Sequence, residues 1–341
     1  MKKYSLLIVL ILSCLTLQAQ DIHFSQPQFA PLTVNPALAG AACGGRLVAN
    51  YRNQWASVLK DKAFNTASLS YDHPIHLKNG DKIGVGGNFL FDKAGRLDFQ
   101  TLGLNLVGSY HKNIKKTTQQ EQFLSIGFTS GVFHRSINFD NAQWASQHDG
   151  EGGFNGNLNN GENFANDNFY FLDIGIGLNW AADFKNGATF NLGAAYAHLN
   201  QANQSFNPTT DIPLFGKWTI YGNALLPIAT KWALTPRLFS LFQGPSFELN
   251  GGIGLQYELK KNSQQAVEIG TATRLAKRVT PSVNSFNTSA SIWTDAIIFN
   301  LAYHHPKFSI ALSYDYNVSD LQQVSNGNGA YEAVFIYQFC Q

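Results

Sequence analysis

Apolar and polar residues alternate with a period of two in segment after segment of this chain, giving fourteen candidate strands, and no other feature constrains the fold as tightly. They span 44–55, 63–75, 82–92, 100–111, 121–133, 168–181, 187–198, 215–227, 231–242, 246–259, 265–275, 294–304, 307–317 and 330–340. In 246–259, Phe247, Leu249, Ile253, Leu255, Tyr257 and Leu259 share one face, while Glu248, Asn250, Gln256 and Glu258 share the other. In 307–317, Phe308, Ile310, Leu312, Tyr314 and Tyr316 oppose Ser309, Ser313 and Asp315. An even number of antiparallel strands can close into a barrel with both chain ends on one side. Large aromatics end the apolar faces, as the girdles of a membrane barrel do. The apolar faces are therefore expected to meet lipid. The polar faces, with Arg46, Arg52, Asp173, Glu248, Asp315 and Glu332, are expected to line a lumen. Two segments, 63–75 and 231–242, alternate poorly, and Pro236 calls for a bulge in a closed sheet.

Composition supports the membrane form of this fold. Charged residues make up 13% of the chain, about half the soluble average, and aromatics also reach 13%. Mean hydropathy is only -0.14, and after residue 17 no apolar run approaches the ~20 residues of a spanning helix. A soluble β-protein, the rival class, carries more surface charge. The expected fold is thus an all-β, transmembrane, antiparallel outer-membrane β-barrel of fourteen strands, over residues 44–341. Connection lengths agree. The even-numbered connections are mostly short, with 112–120 as the exception, and the odd-numbered ones include 135–167, 200–214, 274–291 and 318–329. Short periplasmic turns and long extracellular loops are the outer-membrane pattern.

Residues 1–19 have the form of an export signal, with Lys2 and Lys3 before an apolar run from Tyr4 to Leu17 and Ala19 before the cleavage point. A lipobox reading of Ile11-Leu12-Ser13-Cys14 is the alternative. Without Lys2 and Lys3, 22 basic residues face 22 acidic ones of the 24 and 22 in the whole chain, so charge gives no case for a nucleic-acid partner.

Residues 20–43 precede the alternating region. Pro27, Pro31 and Pro36 exclude a central strand or a helix interior, and each pushes the residue before it towards an extended backbone. The expectation is an extended segment with a turn at Asn35-Pro36 and a flexible exit at Gly40. Such a segment can fold into the lumen and plug it, because polar backbone there finds partners. Two cysteines follow export, Cys43 before the first strand and Cys340 at the end of the last. In a closed barrel these strands are neighbours, so a Cys43–Cys340 disulfide across the seam is expected in an oxidising periplasm, with two free thiols as the alternative.

The stretch HFSQ followed by NPALAG, then Tyr51-Arg52-Asn53-Gln54-Trp55, resembles the PorP/SprF family of outer-membrane proteins of type IX secretion. Lys82 to Lys93, Thr294 to Ile298, Ser313-Tyr314-Asp315 and Ser325-Asn326-Gly327 extend the resemblance over nearly the whole mature chain. The family implies an outer-membrane component that supports export or surface attachment of a secreted protein, such as a gliding adhesin, by protein–protein binding. The partners implied are outer-membrane lipid, a secreted surface protein with a type IX C-terminal domain, and other secretion-system components. Contact residues are expected in the inner segment, at Phe24, Ser25, Gln26, Asn35, Pro36, Ala37 and Gly40, and in the long loops. Asn35-Pro36-Ala37 is also similar to the hatch motif of FadL-type fatty-acid channels, so a channel for small or hydrophobic solutes is the alternative.

No enzyme and no cofactor are expected. Ser136 lies near His134, but no third member completes a nucleophile–base–orienter set. His73/His76 and His304/His305 sit at turns without a carboxylate or cysteine cluster, and His148 to Glu151 lacks the ligand order of a calcium loop. The glycines alternate within strands, as at Gly84 and Gly86, where they are expected to relieve crowding on the lumen face rather than to cradle phosphate.

Overall fold

A computed structural model describes residues 21–148, 153–158, 166–260, 265–281, 288–320 and 322–340. The export signal and residues 149–151 of the candidate calcium loop lie outside the described residues.

The strands are β1 (Gly45–Gln54), β2 (Phe64–His76), β3 (Lys82–Ala94), β4 (Phe99–Lys116) and β5 (Gln120–Ser136). They continue with β6 (Asn168–Phe184), β7 (Thr189–Ala197), β8 (Lys217–Ala229), β9 (Trp232–Gln243) and β10 (Ser246–Glu258). The last four are β11 (Ala266–Pro281), β12 (Thr288–His304), β13 (Phe308–Asn317) and β14 (Asn328–Phe339). Each pairs antiparallel with its sequence neighbour, and β1 closes on β14 with Gly45 opposite Phe339 and Gln54 opposite Ala330. Closure removes the free edges that an open sheet would expose in lipid.

Alternation assigns the two faces. Leu104 and Leu106 on β4, Ile126 and Phe128 on β5, and Leu172 and Leu178 on β6 stand exposed on the outer surface. Their neighbours Ser109, Ser125, Asp173 and Asn179 are buried inside. An apolar exterior around a polar interior inverts the soluble arrangement and fits a bilayer. Aromatic pairs ring both rims. Trp232–Tyr257, Phe184–Phe190 and Tyr71–Phe339 mark the end with the short turns. Tyr196–Trp218, Phe242–Phe247 and Tyr314–Tyr331 mark the other. No described helix is long and apolar enough to cross a membrane.

Four expectations need correction. The strand at 63–75 alternates cleanly: Thr66, Ser68, Ser70 and Asp72 are buried and Leu69, Tyr71 and Ile75 exposed. Pro236 needs no bulge. It keeps register with Ile253 on β10, and on its other side the β8–β9 ladder skips from Asn223–Arg237 to Leu226–Leu234. The proline's missing N–H therefore faces a local gap in the ladder. The connection at 112–120 is short, because β4 runs on to Lys116. Finally, the inner segment is not extended. Pro27–Phe29, Pro31–Val34 and Pro36–Leu38 each form a single helical turn with the proline at its start. Proline suits that position because its fixed φ matches the helix and its absent N–H would have had no partner. The preceding residue adopts a non-helical backbone each time, most clearly Asn35 at φ -156, ψ 123.

Candidate functional site: the lumen and its inner segment

Residues 21–44 pass through the barrel from the long-loop end to the short-turn end. Apolar side chains give the segment its footing. Phe29 packs on Val48, Ala302, Ala311, Val334 and Ile336. Leu38 and Val34 pack on Tyr221, Phe239 and Leu241, and Leu32 and Ala39 meet Val107.

Polar groups hold it at three levels. At the long-loop end, Asp21 is the hub. Its Oδ2 accepts from His198 Nε2 at 2.6 Å and from Lys217 Nζ at 2.7 Å, and its N–H donates to Gln243 Oε1 at 2.8 Å. His198 Nδ1 bonds Asp173 Oδ1 at 2.8 Å. His198 lies just past β7. Burial alone would lower its pKa, but the charge of Asp21 and the hydrogen bonds that the ring donates to Asp173 and Asp21 raise it to about 9. Asp21 sits well below the usual carboxylate range, because Lys217 and His198 outweigh a burial that would raise it.

One level down, Ser25 docks on a buried charge network. Its N–H donates to Glu332 Oε2 at 2.6 Å and its hydroxyl to Asp315 Oδ2 at 2.7 Å. The Gln26 N–H donates to Glu332 Oε1 at 3.1 Å. Arg52 donates to the Ser25 hydroxyl and lies 3.2 Å from Asp315 and 3.7 Å from Glu332. Arg274 reaches Asp315 at 2.8 Å and Asp295 at 2.7 Å, and His23 lies 3.1 Å from Glu248. Strand register builds this network, since Arg52 is directly opposite Glu332 on the β1–β14 ladder.

At mid-barrel and below, NPALAG sits in a track of small residues. The Asn35 amide donates to the carbonyls of Leu178 and Ala194 and to the Tyr221 hydroxyl, and its Oδ1 caps the next turn through the Ala37 N–H at 2.8 Å. A side chain at Gly177 would strike Asn35, one at Gly127 would strike Pro36 and Ala37, and one at Gly84 would strike the Ala39 carbonyl. That carbonyl accepts from Ser109 Oγ at 2.7 Å and His111 Nε2 at 2.6 Å. The Gly40 N–H donates to Asp72 Oδ2 at 2.7 Å, and Arg46, opposite Asp72 on the β1–β2 ladder, binds both Asp72 and the Leu38 carbonyl. Gly40 is therefore not a flexible exit: it is buried at φ +67 and packed against Gly84 and Pro74. Gly84, expected to relieve crowding on the lumen face, does so by making room there for the inner segment.

All the expected site residues of the segment are buried in this arrangement, and Arg46, Arg52, Asp173, Glu248, Asp315 and Glu332 all face the lumen network. Sequence reasoning missed Asp72, Arg274, His198 and Asp21. Asp72 continues the Thr66, Ser68, Ser70 series, which was the available signal. Cys43 and Cys340 lie as a disulfide pair with Cα atoms 5.6 Å apart, where the segment leaves the lumen. His134 is on the outer face and packs against Tyr170 with the rings tilted by 36°, away from the lumen.

At the long-loop end an aromatic cluster ties three connections together. Phe206 packs on Phe169 at 4.9 Å and also meets Phe99 and Phe139. Arg135 spans the Phe99 and Phe171 rings and binds Gln204.

The family model for the type IX secretion system membrane protein PorP/SprF matches residues 16–337. Among curated proteins, none matches the chain. Solved structures that the chain matches include a Pseudomonas aeruginosa FadL homologue, at 11% identity and TM-score 0.47, covering 89% of this chain and 93% of that one. The Pseudomonas putida toluene transporter TodX matches at 11% identity and TM-score 0.41, covering 92% and 93%. BamA from Haemophilus ducreyi matches at 9% identity and TM-score 0.39, covering 87% and 71%.

Proposed function

The chain belongs to the PorP/SprF family of type IX secretion system membrane proteins, and from that premise we propose that it is a plugged outer-membrane barrel acting by protein–protein binding. Family and fold place it in the outer membrane. The partner is a secreted surface protein carrying a type IX C-terminal domain, whose export or attachment the barrel supports. One observation carries this reading: Ser25 to Gly40 is fastened across the lumen by Glu332, Asp315, Arg52 and Asp72, all nearly inaccessible to solvent. A segment held by buried, charge-assisted hydrogen bonds suits a permanent fixture better than a movable gate. The partner-facing surface is then the long-loop end, where Phe206 packs on Phe169 and Phe139 and so joins the connection at 198–216 to the start of the one that follows β5.

A second reading, a solute channel, draws on the cavities flanking the segment. Val34 lines one cavity towards the loops and another towards the periplasm. Displacing the turn at Pro31–Val34 would join them. Affinity capture of the tagged barrel from outer membranes of secreting cells separates the readings. Co-purification of a secreted protein through its C-terminal domain supports the binding reading. Repeated recovery of the barrel alone, with solute flux in liposomes, supports the channel.

A further inference from the structure

Between the inner segment and β7–β10 lies a cavity of about 210 Å³. Exposed Ala41, together with Ala42 and Gln338, stands at its short-turn end, so it opens to the periplasm. Its walls divide by chemistry. Pro31, Val34, Leu38 and Phe239 form an apolar side, and Gln28, Asn191, Asn223 and Asn250 line it with carboxamides. Asn191 and Asn223 are directly opposite each other on the β7–β8 ladder, which sets their amides side by side.

Several of these polar groups are buried without protein partners. Both amide atoms of Gln28, Oδ1 of Asn191 and Nη2 of Arg237 make no hydrogen bond among the described residues. Buried polar atoms left unpaired cost ~1–3 kcal/mol each, so their convergence on one cavity marks it as a place for a hydrogen-bonding occupant. Charge narrows the class. The two guanidiniums lining the cavity are already neutralised, Arg237 by Glu268 at 3.2 Å and Arg46 by Asp72 at 2.9 Å. A net anionic ligand gains little here. Carboxamides both donate and accept, as hydroxyl groups do, and an apolar wall suits the carbon face of a sugar ring.

We propose that this periplasm-facing cavity binds a neutral, hydroxyl-rich ligand of hexose size, as a free sugar or as the terminal residue of a glycan. Gln28, Asn191 and Asn223 take its hydroxyls, and Phe239 takes its ring face. The inference stands on lumen geometry alone and is independent of the secretion partner.

The test is saturation-transfer NMR on the full barrel in an amine-oxide detergent, which has no sugar headgroup to compete. The probes are neutral hexoses, short neutral oligosaccharides, and hexose phosphates as the anionic comparison. The expected result is saturable binding of a neutral probe, weakened about tenfold in N191L and N223L variants that keep wild-type heat-modifiable mobility. Binding of free hexose identifies a free sugar as the occupant, and binding of the oligosaccharide alone identifies a glycan end. Absence of saturable neutral binding by the wild-type barrel, preference for the phosphates, or equal affinity in folded variants would each overturn the proposal. The wild-type titration decides the matter even where a variant fails to fold.

Discussion

Gly40 and Gly84 meet so closely that a methyl group on Gly40 would come within 2.5 Å of the Gly84 Cα. One glycine belongs to the inner segment and the other to the wall. With Gly127 beneath Ala37 and Gly177 beneath Asn35, they form a track that only small residues can line. Replacing Gly127 by leucine should therefore lift the segment while leaving the outer face of β5 unchanged. Overpacking of this kind costs ~1–3 kcal/mol. Limited proteolysis should then cut within residues 21–44 of G127L and spare the wild-type barrel under the same conditions.

Arg52 stands between Asp315 and Glu332. Removing it in R52A leaves two carboxylates buried beside one remaining guanidinium, that of Arg274. Breaking a buried pair from one side costs ~3–5 kcal/mol. The triple variant R52A/D315N/E332Q should recover much of that loss, because no uncompensated charge stays buried. Denaturant unfolding of the single and triple variants measures both.

The Asp21–His198 contact gives the segment's outer anchor a pH dependence with a defined sign. The His198 pKa is raised to about 9, above the ordinary histidine value of 6.5. Its contribution is complete below pH 6.5 and is lost as pH rises through about 9. Asp21 works oppositely: its lowered pKa gives stability present above the ordinary carboxylate value and lost as pH falls through the lowered one. The anchor should be tightest between these limits. An NMR titration of His198 should give a midpoint near 9 in the wild type and a lower one in D21N. Equal midpoints in the two proteins would show that Asp21 does not hold the imidazolium.

Cys43 and Cys340 join residues 297 apart in sequence, at the seam where β1 meets β14. A crosslink closing so long a loop contributes ~2–5 kcal/mol. C43S or C340S should unfold at a lower temperature than the wild type, and reduction should lower the wild type to match. Two freely alkylated thiols in the unreduced protein would contradict the bond.

The barrel was visible in the sequence because lipid and lumen demand opposite polarity at every second residue. Arg52 and Glu332 were visible for the same reason. The charged stretch from Lys112 to Lys116 reads as a loop, yet it is strand: β4 carries it to the short-turn end, where Lys112 pairs with Asp81 and Lys116 with Glu121. Asp81 there is held at a pKa of about 2, chiefly by the Tyr110 hydroxyl and the Asn113 N–H. The helical turns of the inner segment were hidden because a proline excludes helix interiors but favours helix starts, and only tertiary footing under Phe29 and Leu38 chooses between them. The anchors Asp21 and His198 are 177 residues apart and follow no local pattern.

The central claim is that the inner segment is a fixed plug. Planar-bilayer conductance of the wild-type barrel beside a variant lacking residues 21–40 tests it most directly. The account predicts a silent wild type and steady, open conductance from the deletion. Steady conductance by the wild type, with its segment shown intact by N-terminal sequencing, would contradict it.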